Sequence, residues 1–132
     1  MLDKNYEISY VEEEKFLGTG GSLHLLKGRI TETFFVSNCD ILVDANYSDI
    51  LQYHKDNNNL ITMVTSLKNY QIPYGIIKLG NDGQVIGTTE KPEYDYLVNT
   101  GFYILEPQTL EDVPENTFFH ITDLINKYIE EG

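Results

Sequence analysis

The sequence predicts an α/β protein built on a mixed sheet, and three observations carry that prediction. Short runs rich in β-branched and aromatic residues recur at 33–36, 60–67 and 97–105. Helical stretches separate or follow them: one opens at Asn46-Tyr47-Ser48-Asp49, and one near the end has apolar residues at 124, 125, 128 and 129. Between them, 74–79 and 84–89 flank Gly80-Asn81-Asp82-Gly83, whose Asp-Gly pair is a strong hairpin signal. The order strand, helix, strand, helix, strand, hairpin, strand, helix implies parallel pairing early and antiparallel pairing in the hairpin.

Taken in order, 7–11 reads as a strand with Ile8, Tyr10 and Val11 available for packing, and Glu12-Glu13-Glu14 as a solvated loop. Leu17-Gly18-Thr19-Gly20-Gly21-Ser22 opens a short helix that Ser22 or Thr19 is expected to cap. Three glycines in four positions point away from packing and toward unusual backbone angles or a close-lying ligand. Such a turn can offer bare N–H groups to an anion or a base edge, or can simply be a flexible turn.

The run Phe34-Phe35-Val36-Ser37-Asn38-Cys39-Asp40 ends a strand on a carboxylate. Ligands of open α/β sheets gather at carboxyl ends of strands, so Asp40 is a candidate site residue; a plain turn residue is the alternative. The next helix should turn Ile50, Leu51 and His54 inward and end at Asn57-Asn58-Asn59, with His54 packed or hydrogen-bonded at the edge of that face. A strand at 60–67 is expected to stop before Lys68-Asn69. Glu90-Lys91-Pro92 follows the hairpin at once, an acid and a base where proline stops the strand. In 97–105 the polar break Asn99-Thr100-Gly101 needs partners, either neighbouring backbone or a ligand. A helical turn is expected at 109–113, then a helix capped by Thr122 and ended by Gly132.

Bulk properties narrow the function. A chain of 132 residues, 41% hydrophobic and 23% charged, suits one globular domain, 1–132. Nine basic against 21 acidic residues give a formal charge of −12, which excludes nucleic acid as the main partner but not a small phosphorylated ligand with a divalent metal. No run is long enough to span a bilayer, and Met1-Leu2-Asp3-Lys4-Asn5-Tyr6 lacks the basic and apolar zones of a leader. The single cysteine, Cys39, suits a reducing, cytoplasmic setting. No Ser/His/Asp arrangement or zinc-ligand spacing competes with the strand-end groups Gly18-Thr19, Asp40, Glu90-Lys91 and Asn99.

Five segments in this order resemble the sugar-1-phosphate nucleotidyltransferases. Leu17-Gly18-Thr19-Gly20-Gly21 is similar to the family's L-G-T-[AG]-G segment at the nucleotide base, and Asn38-Cys39-Asp40 to its N-G-D, whose Asp ligates Mg²⁺. Pro73-Tyr74-Gly75 resembles the P-Y-G near the sugar, Glu90-Lys91-Pro92 the E-K-P motif, and Asn99-Thr100-Gly101 the N-[AT]-G strand. The resemblance implies a Rossmann-like mixed sheet flanked by helices, of the nucleotide-diphospho-sugar transferase type. It implies nucleotide binding at Gly18 and Thr19, Mg²⁺ at Asp40, and sugar-phosphate binding at Gly75, Glu90, Lys91 and Asn99, with Asp40 and Lys91 catalytic. NTP and sugar-1-phosphate would be the substrates.

Cys39 stands where the family has glycine. The family's N-terminal G-x-G-T-R-x-x-P loop and its second acidic metal ligand are not in these residues, so the expectation is a central fragment, truncated at both ends and inactive alone. Two other readings stay open: a metal-dependent glycosyltransferase, and a non-catalytic sugar-phosphate-binding or assembly module. Exposed apolar edges would favour a homo-oligomer.

Overall fold

The computed structural model describes residues 6–132; Met1 to Asn5, where the leader reading falls, lie outside them. The described residues form strands β1 (Phe34–Ser37), β2 (Ile61–Gln71), β3 (Ile76–Leu79), β4 (Val85–Thr89) and β5 (Glu93–Leu105). Helices α1 (Tyr47–Asp56) and α2 (Ile121–Glu131) are joined by 3-10 turns at Gly21–Leu26 and Pro107–Asp112. One sheet has the order β1-β5-β2, and β3 and β4 form a second. The α/β prediction therefore holds, with two local corrections. The hairpin forms its own two-stranded sheet. Residues 7–11 are irregular and exposed, because they have no neighbouring strand to satisfy their backbone. No helix among the described residues is long and apolar enough to cross a membrane.

The chain folds into two compact units. The first comprises Met1–Val36, Ala45–Thr62 and Tyr103–Gly132; the second comprises Ser37–Asp44 and Met63–Phe102.

The core of the first unit is built from Leu23, Tyr103, Leu105, Leu110, Val113, Ile121 and Leu124. Helix α2 contributes the stripe Ile121, Leu124, Ile125 and Tyr128, the spacing of one helical face. Full burial of Leu124 alone is worth about 2–3 kcal/mol. Ile129, expected on this stripe, is exposed: it falls at the stripe's edge in the last turn of the helix. The helix begins at Ile121, not after a Thr122 cap: the Asp123 carboxylate accepts the His120 backbone N–H at 2.9 Å. Asp112 fastens α2 to the preceding 3-10 turn, accepting from the Lys127 ammonium and, at 2.5 Å, from the Tyr128 hydroxyl. These contacts, led by Lys127, hold the Asp112 carboxyl below its usual range; burial, and then Asp112, push the Tyr128 phenol up.

Helix α1 starts where expected, with the Asn46 side chain accepting the Ser48 N–H at 3.1 Å, and ends at Asn57. Its His54 is 1% exposed, so it lies within the interior and not at its edge. The imidazole meets the Thr62 hydroxyl at 2.7 Å and Glu106 at 3.0 Å, and the Thr33 hydroxyl donates to the same Glu106 oxygen at 2.6 Å.

In the second unit β2 and β5 run antiparallel, as three cross-strand bonds record: Thr100 hydroxyl to Val64 carbonyl, Asn69 to Asp95, and Gln71 to Glu93. Both strands exceed their predicted spans, because polar pairs and contacts among Tyr70, Tyr94 and Tyr96 carry the ladder through residues too polar to read as strand. The hairpin pairs Ile76 with Thr89 and Lys78 with Gly87, bulges between Lys78 and Leu79, and turns at Gly83 with φ +75°.

Candidate active-site elements

In the first unit, Gly18 and Thr19 lie in a segment laid directly against residues 117–121. A Cβ on Gly18 would stand 2.7 Å from the Phe119 carbonyl oxygen, on Gly20 2.6 Å from the Ile121 nitrogen, and on Gly21 2.6 Å from the Thr117 oxygen. All three obstacles are backbone atoms, which cannot swing aside. Gly18 holds the unusual backbone angle expected, φ +82°, but all three glycines also make room for close backbone packing, which corrects the expectation that packing has no part in their number. The Gly20 and Gly21 N–H groups both donate to the Phe119 carbonyl, at 3.0 and 3.1 Å, so neither is bare.

Nor do Ser22 and Thr19 cap the turn that follows: Gly20 occupies the cap position, with no side-chain hydrogen bond. Thr19 instead serves α2. Its hydroxyl oxygen accepts the Ile121 N–H at 3.3 Å and lies 3.2 Å from His120 Nδ1. Sequence reasoning missed His120, whose partner is 101 residues away along the chain.

The second unit holds Asp40, Gly75, Glu90, Lys91 and Asn99. β1 ends at Ser37, and Cys39-Asp40 form an exposed turn, so Asp40 is a turn residue whose carboxylate has no hydrogen bond or ion pair among the described residues. Gly75 and Glu90 stand together one step past the Ile76–Thr89 pair. A Cβ on Gly75 would come within 3.0 Å of Glu90 Oε2.

Lys91 follows with φ +41°, in the left-handed region that a lysine seldom occupies. Pro92 holds the far side of that residue, its carbonyl accepting the Ile72 N–H at 3.0 Å. Asn99 Oδ1 accepts the Gly101 N–H at 2.8 Å and the Thr100 hydroxyl donates to Val64, so the polar break in β5 has backbone partners.

Among the described residues no three His, Cys, Asp or Glu side chains converge as a metal cluster. The exposed Asp40 carboxylate offers hard oxygen donors, the type taken by a cation such as Mg²⁺, which uses one or two protein carboxylates and completes its shell with water and phosphate oxygens. A pocket of about 440 Å³ in the first unit, lined by His54, Lys55, Asn58, Asn59, Leu60, Glu106 and Gln108, contains none of the predicted residues.

The chain has relatives among known proteins. The chain is 34% identical over 140 aligned positions to the bifunctional protein GlmU of Methanococcus maripaludis, an alignment covering 99% of this chain and 33% of that protein. It is 30% identical over 112 positions to the mannose-1-phosphate guanylyltransferase catalytic subunit beta of Drosophila pseudoobscura pseudoobscura, covering 81% of this chain and 30% of that one. The fold matches the crystal structure of HddC from Yersinia pseudotuberculosis with a TM-score of 0.60 and 25% identity, over 86% of this chain and 51% of HddC. The chain thus spans about a third of the length of these curated relatives. A family profile described as nucleotidyl transferase matches residues 2–132, and the chain belongs to that family.

Proposed function

We propose that the protein carrying this chain transfers a nucleotidyl group from an NTP to a sugar-1-phosphate, giving an NDP-sugar and pyrophosphate. The observation that carries the proposal is in the second unit: Glu90 stands against Gly75, and Lys91 follows it in a left-handed backbone conformation. A strained, non-glycine residue costs of order 1–3 kcal/mol and is characteristic of ligand sites. The relatives' names, one of them a mannose-1-phosphate guanylyltransferase, support the same chemistry.

In this reading a phosphate oxygen of the sugar-1-phosphate attacks the α-phosphorus of the NTP. The new P–O bond forms as the bond to the β-phosphate breaks, and pyrophosphate leaves with that electron pair. No side-chain nucleophile is required; catalysis is positioning and neutralisation of charge. Lys91 offers its ammonium to the sugar phosphate. Glu90 and Asn99 hydrogen-bond sugar hydroxyls, and Gly75 leaves the space that a side chain would take from Glu90. The Gly18-Thr19 peptide contacts the base. Asp40 would hold Mg²⁺, and the ion, when bound, offsets the charge of the phosphates. The protein's cations alone are few against a formal charge of −12.

The test is pyrophosphate release by the full-length protein with Mg²⁺ and a panel of NTPs and sugar-1-phosphates. Lys91→Ala and Asp40→Ala are each expected to lower kcat/KM by about 10²–10³, the usual cost of losing one charge-stabilising group. Wild-type rates in both variants would sink the proposal. Transfer from a nucleotide-sugar to an acceptor in place of pyrophosphate release would redirect it to a glycosyltransferase.

A further inference from the structure

Gly101 is bonded both to Asn99 and to the stretch leading into Asp40. It lies inside β5 with φ +78°, a conformation foreign to a strand and open to glycine. Its N–H donates to Asn99 Oδ1 at 2.8 Å, and its carbonyl accepts the Asn38 N–H at 3.0 Å. The space where a side chain would be is filled: a Cβ there would stand 2.5 Å from Asn38 Nδ2 and 2.9 Å from Asn38 Cγ. Asn38 is two residues before Asp40, and all of these residues belong to the second unit. By contrast, a Cβ on Gly87 in β4 would have nothing nearer than 3.9 Å.

We infer that Gly101 is a positioning residue that fixes the Asn38-Cys39-Asp40 turn and the Asn99 carboxamide relative to each other. Any side chain at 101 must displace the Asn38 carboxamide, and the left-handed backbone that aims both hydrogen bonds is itself lost when an L-residue relaxes out of it. The Asn38 carboxamide is an exposed side-chain end and moves first; the Asn38 N–H, bonded to the 101 carbonyl, carries the shift into the backbone one residue before Cys39. Loss of the N–H direction at 101 removes the hydrogen bond that Asn99 Oδ1 accepts there. One substitution therefore disturbs two groups that touch different parts of the reacting pair. The inference rests on the proposed roles of Asp40 and Asn99 for its effect on turnover, but not for its effect on the turn.

The experiment uses the full-length protein and a chemical reporter inside the turn, the exposed thiol of Cys39. Its alkylation rate by iodoacetamide is followed by mass spectrometry of the peptide that contains it, in wild type, Gly101→Ala, Asn38→Ala, the double variant and the control Gly87→Ala. Gly101→Ala is expected to change the rate several-fold while Gly87→Ala leaves it alone. Asn38→Ala, which removes the obstacle without straining β5, should reduce the effect of the second substitution in the double variant.

In steady-state kinetics Gly101→Ala should raise both the Mg²⁺ concentration for half-maximal rate and the KM for sugar-1-phosphate, whereas a purely global defect would lower only the amount of active protein. A Cys39 rate in Gly101→Ala equal to wild type overturns the inference, as does an equal effect of Gly101→Ala with and without the Asn38 side chain. If Gly101→Ala does not fold, Gly101→Asn, which tolerates the left-handed region, takes its place: a Cys39 rate equal to wild type there overturns the inference. A shifted Cys39 rate in a protein that shows no pyrophosphate release under any condition keeps the positioning role and removes the nucleotidyl-transfer reading.

Discussion

His54 and Glu106 meet at 3.0 Å in the first unit, the imidazole 1% exposed and the carboxylate 26% exposed. Each has a second partner: Thr62 for His54, and Thr33 for Glu106. The contact joins the C-terminal half of α1 to the residue after β5. His54→Phe keeps a buried aromatic ring, somewhat larger, but leaves the hydroxyl of Thr62 and the Glu106 carboxylate short of a partner. The expected cost is about 2–4 kcal/mol, the desolvation of groups left unmatched. Thermal melting followed by circular dichroism should show a drop of about 10 °C. A melting point like that of wild type would mean water replaces the ring without penalty.

The contact of Gly20 with Ile121 yields a sharper contrast. Gly20→Ala puts a methyl 2.6 Å from the Ile121 nitrogen and 2.9 Å from its Cα, and neither can yield without moving α2. Overpacking of this kind costs about 1–3 kcal/mol. Gly87→Ala, with free space around it, should change stability little. Denaturant unfolding of the two variants side by side checks this; equal midpoints would disprove the tight backbone contact.

Asp112, Lys127 and Tyr128 set an expectation for pH. The folded-state pKa of Asp112 is lowered from 3.8, with Lys127 the first cause, so its contribution is present above 3.8 and fades as pH falls through the lower folded value. Tyr128 is raised from 10.0, so its contribution is present below that value and fades as pH rises through the folded one. With Asp112 31% and Lys127 41% exposed, the ion pair is screened by solvent and contributes little. Asp112→Asn should therefore lower the melting point modestly at neutral pH, and the difference from wild type should shrink on acidification below pH 3.8. A gap that widens in acid would contradict the assignment.

At the tip of the hairpin, Gly83 holds φ +75° with nothing within 4 Å of its would-be Cβ. Only conformational strain opposes substitution there. Gly83→Ala should cost about 1–2 kcal/mol and Gly83→Asn less, because asparagine tolerates the left-handed region. Amide hydrogen exchange across β3 and β4 should rise more in Gly83→Ala than in Gly83→Asn.

The hairpin, both α-helices and the polar break of β5 were legible in the sequence because each rests on a local signal. Asp82-Gly83 sets the turn, Asn46 caps α1, and the spacing of Leu124, Ile125 and Tyr128 marks one face of α2. What escaped notice depends on partners distant in the chain. The outer halves of β2 and β5 look like loop until Asn69 is set beside Asp95 and Gln71 beside Glu93. Residues 7–11 have the alternation of a strand and lack only a neighbour. The glycines at 18, 20 and 21 suggested an open cradle because local reading cannot see the 117–121 backbone. At the candidate site, motif order identified Asp40, Glu90, Lys91 and Asn99. Asn38 and Gly101 stood in the same motifs, but no pattern along the chain reveals that one occupies the space left by the other.

The seating of Leu17 to Gly21 against Phe119 and its neighbours has a consequence for biosynthesis. The Phe119 N–H donates to Leu17, and its carbonyl receives Gly20 and Gly21, so these glycines have no docking surface until the later segment exists. Thr19 and His120 are separated by 101 residues. At a ribosomal rate of about 5–20 residues per second, the early segment waits roughly 5–20 s with its backbone unmatched. During that interval Leu17, only 2% exposed in the finished fold, is in water. Nascent chains stalled before Phe119 should therefore be open to protease at the glycines, and chains that extend past α2 should be closed there.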